Sequence, residues 1–216
     1  MAPSPSDPQM SFAFLAIMSG LCAVIYPFLT SLTWSRSLVK TLAIAPLAVW
    51  SHMIGFPVLA AGLALSAIGD LALSRPGDRA FLIGMLSFAA AHLIYAWIFY
   101  AGGLVPLGGW QSLALVPVIG VALWLGPVFA AKAGALVLPV FVYVGIIGVM
   151  GATAVMQPMG AGQVIALIGA LLFMASDAIL GQEKFLNRHW PGQGLAIWGL
   201  YYAAQVALFV GFVWIG

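Results

Sequence analysis

Ala133 to Val155 reads AGALVLPVFVYVGIIGVMGATAV, a run of 23 residues that follows Lys132 and contains no Asp, Glu, Lys, Arg or His. At 1.5 Å per residue, a helix of that length is about 34 Å long, enough to cross the roughly 30 Å hydrocarbon core of a bilayer. A helix also bonds its own backbone groups, which lipid cannot do for it. This stretch is therefore a membrane span, and its neighbours on either side repeat the pattern.

Working outward from it, spans are expected at Phe12–Leu32, Leu38–Trp50, Phe56–Leu73, Phe81–Tyr100, Ser112–Leu125, Val164–Leu180 and Leu195–Ile215. That makes eight in all. Composition changes at Thr33–Ser37, Ser74–Arg79, Gly102–Trp110, Gln157–Gly162 and Gly181–Gly194, connections too short for a soluble domain. The expected fold class is an all-α polytopic helix bundle: a short polar tail at residues 1–11, then a single transmembrane domain over 12–216. Composition agrees, because 64% of the residues are hydrophobic, 6% are charged and the mean hydropathy is +1.13. No water-facing surface can be assembled from such a chain.

The basic residues orient the spans. Arg36 and Lys40, Arg75 and Arg79, Lys132, and Lys184 with Arg188 all fall at odd-numbered connections, while the even-numbered connections and both tails have no Lys or Arg. Cytoplasmic loops collect these residues, so the odd connections are expected inside and both termini outside. A seven-span chain would scatter them over both sides. Trp34, Trp50, Trp110, Trp190 and Trp214 fall near span ends, as an interfacial aromatic belt requires. The abundance of Ala and Gly in the spans suggests a bacterial inner membrane.

Several classes of function lose support. One cysteine, Cys22, allows no intrachain disulfide and no thiolate metal cluster. A net charge of +2 with scattered basic residues offers no nucleic-acid surface. No Walker loop, Gly-x-Ser-x-Gly elbow or His-Glu-x-x-His helix occurs, and Met1–Met10 has no basic residue to open a cleavable signal.

What remains is the chemistry of a few ionisable groups inside spans, each of which costs at least about 2.5 kcal/mol to place there. Asp70 and Asp177 lie about one turn from the cytoplasmic ends of the third and seventh spans, at comparable depth, where they could face a common pocket. Of two such carboxyls one can hold a proton while the other is ionised, the division of labour that acid-base hydrolysis needs. The plainer reading is that each merely bonds a neighbouring helix or pairs with Arg75 or Lys184 near the interface. His92 is deeper, about 20 Å along its helix from Arg79. Lys40 can snorkel or meet a lipid phosphate. Tyr95, Tyr143, Tyr201, Tyr202 and Gln205 can bond a head group or position water. Asp78 and Glu183, beside Arg79 and Lys184, are expected to be solvated, and His52 and His189 to lie in connections. Asp70 and Asp177 are 107 positions apart, as are Tyr95 and Tyr202, a spacing that suggests two parallel four-helix repeats.

Gly69-Asp70-Leu71-Ala72-Leu73, followed by Phe81, Gly84, Phe88, His92 and Tyr95, resembles the central signature of the YhhN family of lysoplasmalogenases. Ser176-Asp177-Ala178-Ile179-Leu180 with Lys184-Phe185 is similar to that family's late Ser-Asp segment, and Tyr201-Tyr202-Ala203-Ala204-Gln205 to its last-helix tyrosine motif. Lys40, Tyr143 and Met150 also fit, although Thr41 replaces the proline usual after the early lysine, with Pro46 arriving later. The likeness runs in order along nearly the whole chain. It implies a membrane hydrolase that cleaves the vinyl-ether bond of a lysoplasmenyl phospholipid, ethanolamine or choline, to a fatty aldehyde and a glycerophospho head group. It implies no cofactor and no metal. Asp70 and Asp177 would be the catalytic pair, with Lys40, His92, Tyr95, Tyr143, Tyr201 and Tyr202 binding or orienting the substrate. The competing expectations are a small proton-coupled transporter, a non-catalytic membrane scaffold and a zinc-dependent lipid amidase.

Overall fold

The structure is a computed structural model that describes residues 8–215. Among them are eight α-helices and no strand: α1 (Pro8–Ile25), α2 (Trp34–Met53), α3 (Pro57–Leu73), α4 (Asp78–Ala101), α5 (Gly109–Ala130), α6 (Val137–Val155), α7 (Ala161–Leu186) and α8 (Gln193–Ile215). Each expected span overlaps one helix, in order, although Phe12–Leu32 runs past the end of α1 at Ile25 and Ala133–Val155 begins before α6. Six are long and apolar enough to cross a bilayer on those grounds alone, and α3 is a shorter apolar helix. The chain is an integral, polytopic, all-α membrane protein. Of the expected polar tail, residues 1–7 lie outside the described residues and 8–11 belong to α1.

Local chemistry sets the helix ends. Thr33 caps α2, its side chain accepting from the Arg36 N–H, and Pro57 occupies the first turn of α3, where no N–H is needed. Asn187 ends α7 in the left-handed conformation, with φ of 52°. That end is later than expected, because Gln182, Glu183 and Lys184 are good helix formers and Gly181 before them is kept in the helix where it packs against the Phe129 ring. The connection placed at Gly181–Gly194 is thus confined to the segment between α7 and α8. Likewise α2 starts at Trp34, which puts Arg36 and Lys40 on its first two turns, and His52 lies in its last turn rather than in a connection. Pro117 and Pro127 are accommodated inside α5.

The chain divides into two compact units, one ending at Ala91 and the other starting at His92, so the division falls inside α4 and does not separate four-helix halves. In the first unit, α2 packs on α1 and α3, and the Ser19 hydroxyl on α1 donates to the Ala43 carbonyl on α2. The first part of α4 meets α3 through the Phe88 ring, which lies where a Cβ on Gly69 would be. The Ser87 hydroxyl donates to the Leu65 carbonyl at 2.7 Å.

In the second unit the tightest packing is between α7 and α8. A Cβ on Gly211 would fall 2.5 Å from the Ala166 nitrogen, and one on Gly169 would fall 2.9 Å from the Leu208 nitrogen. Small residues that let backbones approach this closely are how helices associate in lipid, where apolar surface alone gives no preference for protein over bilayer. The Gln157 amide after α6 donates to the Phe99 and Gly103 carbonyls and so satisfies the end of α4. Facing outward, Phe14, Ile17, Leu21 and Val24 form an exposed apolar stripe on α1, and Leu113, Val116 and Leu123 do the same on α5.

Candidate functional site

In the first unit, α2 and α3 bring Lys40 and Asp70 together, with Nζ 3.1 Å from Oδ1. Asp70 is buried on the last full turn of α3, and Lys40, on the second turn of α2, is mostly covered. An ammonium at this distance suits an ionised carboxylate, and enclosure makes each partner depend on the other. Of the plainer expectations for Asp70, a bond to a neighbouring helix or a pair with Arg75 or Lys184, the structure shows the first, through Lys40 on α2. Arg75 instead lies over the Trp34 ring at 4.3 Å and donates to the Ser37 hydroxyl at 3.2 Å. Arg36 and Lys40, one turn apart on α2, both lie over the Tyr26 ring, at 4.7 and 5.8 Å.

The second unit builds a different centre around Asp177 on α7. The Tyr143 hydroxyl on α6 donates to its Oδ2 at 2.7 Å, a strong charge-assisted bond. His92 Nε2, on α4, is 3.7 Å from the same oxygen, beyond a hydrogen bond, and the two form an ion pair only when the imidazole is protonated. The imidazole is fully buried and makes edge contacts with the Phe173 ring at 4.4 Å and the Tyr143 ring at 5.7 Å, centroid to centroid. Phe173 lies one turn before Asp177 on α7, so the aspartate's own helix supplies the wall that fixes the ring.

One turn further along α4 from His92, the buried Tyr95 hydroxyl donates to Gln205 Oε1 at 2.9 Å. Tyr201 is buried edge-on against Phe173, at 5.3 Å. Tyr202 is partly exposed and stacks on Trp198, one turn away on the same helix. Of the expected residues, the structure therefore joins Asp177, His92 and Tyr143 directly, links Tyr201 to them through Phe173, and joins Lys40 to Asp70. Phe173, Tyr26 and Arg36 were not expected near these groups. The spacing of Arg36 and Lys40, four residues apart, is the one trace of that cluster in sequence. Among the described residues no three His, Cys, Asp or Glu side chains converge to hold a metal. Asp78 and Arg79 are exposed, and His189, in the connection after α7, bonds Asn187 Oδ1 at 3.1 Å.

Carboxylates held by a lysine, a tyrosine and a histidine within lipid-length helices define a membrane protein with polar centres enclosed among apolar helices. The chain belongs to the YhhN family, whose sequence model matches residues 35–212. It is similar to lysoplasmalogenase TMEM86A of Bos taurus, 36% identical over 194 residues that cover 83% of this chain and 78% of the relative. Lysoplasmalogenase TMEM86B of Homo sapiens is 36% identical over 182 residues, 82% of this chain and 75% of its own length. Lysoplasmalogenase TMEM86A of Homo sapiens is 32% identical over 192 residues, with 82% and 78% covered. No solved structure matches the chain.

Proposed function

We propose that this chain is a lysoplasmalogenase, a membrane hydrolase that cleaves the vinyl-ether bond of a lysoplasmenyl phospholipid without a cofactor. The observation that carries the reading is Asp177 with the Tyr143 hydroxyl at 2.7 Å and the enclosed His92 at 3.7 Å, in a chain whose relatives bear that name. Vinyl ethers resist base and yield to acid. Protonation of the β-carbon gives an oxocarbenium ion, water adds to the α-carbon, and the resulting hemiacetal collapses to a fatty aldehyde and the free glycerol hydroxyl. Such a path needs a proton donor and a carboxylate that favours the cation and takes a proton from water.

Asp177 is assigned the proton transfers, with Tyr143 fixing its Oδ2 and His92 exchanging protons with it. Asp70 is assigned the anionic role because Lys40 sits against it and favours the ionised form. Phe173 packs against the imidazole and helps to exclude water from it, and Tyr201 backs Phe173. Tyr95 and Gln205 extend the polar lining of α4 and α8, and Tyr202 is assigned to substrate orientation.

The membrane supplies the substrate, whose single hydrocarbon chain can stay in lipid during the reaction. The odd-numbered connections are assigned to the cytoplasm and both termini to the outside, on the distribution of Lys and Arg, with the bacterial inner membrane as the host bilayer. The deciding experiment incubates purified protein with lysoplasmenylethanolamine and measures aldehyde. Aldehyde release that falls at least a hundredfold in Asp177→Asn is expected; well-folded wild-type protein that releases none would overturn the reading.

A further inference from the structure

Lys40 is the residue that sequence reading offers to a lipid phosphate, but its ammonium is already engaged by Asp70. Two guanidiniums beside it are not so engaged. Arg36 and Arg75 have no carboxylate partner among the described residues. Arg75 is fixed on the Trp34 ring and uses donors on the Ser37 hydroxyl and the Leu32 carbonyl, which leaves the rest of its five N–H groups for a ligand. Arg36 is stacked on Tyr26, and its Nε is buried without an acceptor among the described residues. A buried charged donor left without an acceptor is costly, so the arrangement is completed by an anion supplied from outside the chain. Phosphate suits it, because a guanidinium presents paired donors that match phosphate oxygens, and stacking on an aromatic ring holds that fork in place.

We propose that Arg36 and Arg75 form a phosphate-ester site in the first unit, next to the Lys40–Asp70 pair, and that it takes the head-group phosphate of the lysophospholipid. The substrate assignment rests on the lysoplasmalogenase reading, whereas the phosphate site rests on this geometry alone. Lys40 then acts on Asp70 instead of on phosphate.

The test compares turnover of lysoplasmenylethanolamine with that of the phosphate-free alkenylglycerol in Arg36→Gln and Arg75→Gln. The preference in kcat/KM for the phosphorylated substrate is expected to fall about tenfold in each, through KM, and Arg→Lys variants should recover only part of it. A preference kept intact in folded variants overturns the proposal. Should either variant misfold, the wild-type protein decides: inorganic phosphate must compete with the phospholipid and not with alkenylglycerol, and competition with neither overturns the site. Thermal stabilisation by an uncleavable 1-O-alkyl lysophosphoethanolamine, lost in both variants, is expected as well. Stabilisation by phosphatidylglycerol vesicles and none by the lysolipid would assign the site to bulk lipid and overturn the substrate assignment. If wild-type protein cleaves no vinyl ether yet binds the alkyl lysolipid through Arg36 and Arg75, the activity fails and the phosphate site stands.

Discussion

The phenol of Tyr143 and the imidazole of His92 approach one oxygen of Asp177 in different ways, and variants should separate them. Tyr143→Phe removes a 2.7 Å bond to a charged group, a loss of about 1.5–3 kcal/mol, so aldehyde release is expected to drop roughly ten- to a hundredfold. His92→Gln keeps much of the volume beside Phe173 but loses proton exchange, and the pH profile of kcat should flatten on one limb while thermal stability changes little. An unchanged profile would leave His92 as packing. For the other aspartate the expectation concerns stability: Lys40→Met strands the buried Asp70 charge and should cost about 3 kcal/mol in detergent denaturation, while the Lys40→Met/Asp70→Asn double variant recovers most of it. The sequence made Asp70, Asp177, Lys40 and Tyr143 visible because a polar group inside an apolar run is conspicuous. It could not pair them. Partners such as Phe173 for His92, or Tyr26 for Arg36, are hydrophobic or interfacial residues that look like any other until the helices pack.

At the scale of elements, α7 and α8 share a seam of small residues that admits no added methyl without backbone movement. Gly211→Ala is expected to cost about 1–3 kcal/mol, and a larger residue at Gly169 more, read as a lowered thermal midpoint with loss of aldehyde release. An equivalent change at Gly199, where a Cβ meets nothing within 4 Å, should be tolerated. Helix order and number were legible from hydropathy together with the one-sided placement of Lys and Arg, because the runs at Leu38–Trp50 and Ser112–Leu125 are short on their own. The ends were less so. Polar helix formers such as Gln182 and Glu183 look like loop when solvation is the only criterion, yet they continue α7 beyond the apolar run to Leu186. Thr33 is both polar and a cap, and α2 starts directly after it at Trp34, four residues before the expected span at Leu38.

For the whole molecule, the assignment of sides follows from basic residues that attach only to the first, third, fifth and seventh connections. Because Cys22 is the single native cysteine, a Cys22→Ser background allows the sides to be mapped with one new thiol at a time. A thiol at Asn187 should react with a membrane-impermeant reagent only after the cytoplasmic face is opened, and one at Gly103 from outside intact cells. The reverse pattern would invert the orientation without affecting the helices. Two helices, α2 and α3, fall outside the set that is long and apolar enough to span unaided, and they are also the two that hold Lys40 and Asp70 against each other. Lys40 would be penalised by about 2.5–3.5 kcal/mol near a bilayer centre, as Asp70 would be. During biosynthesis α2 emerges first with its cation unmatched, and only the short turn between Met53 and Pro57 delivers the compensating anion. These two helices are therefore expected to leave the translocon together as a hairpin whose charges already cancel, so in a nascent chain halted between them, anchored by α1, α2 itself should insert poorly even though every residue of it has been made.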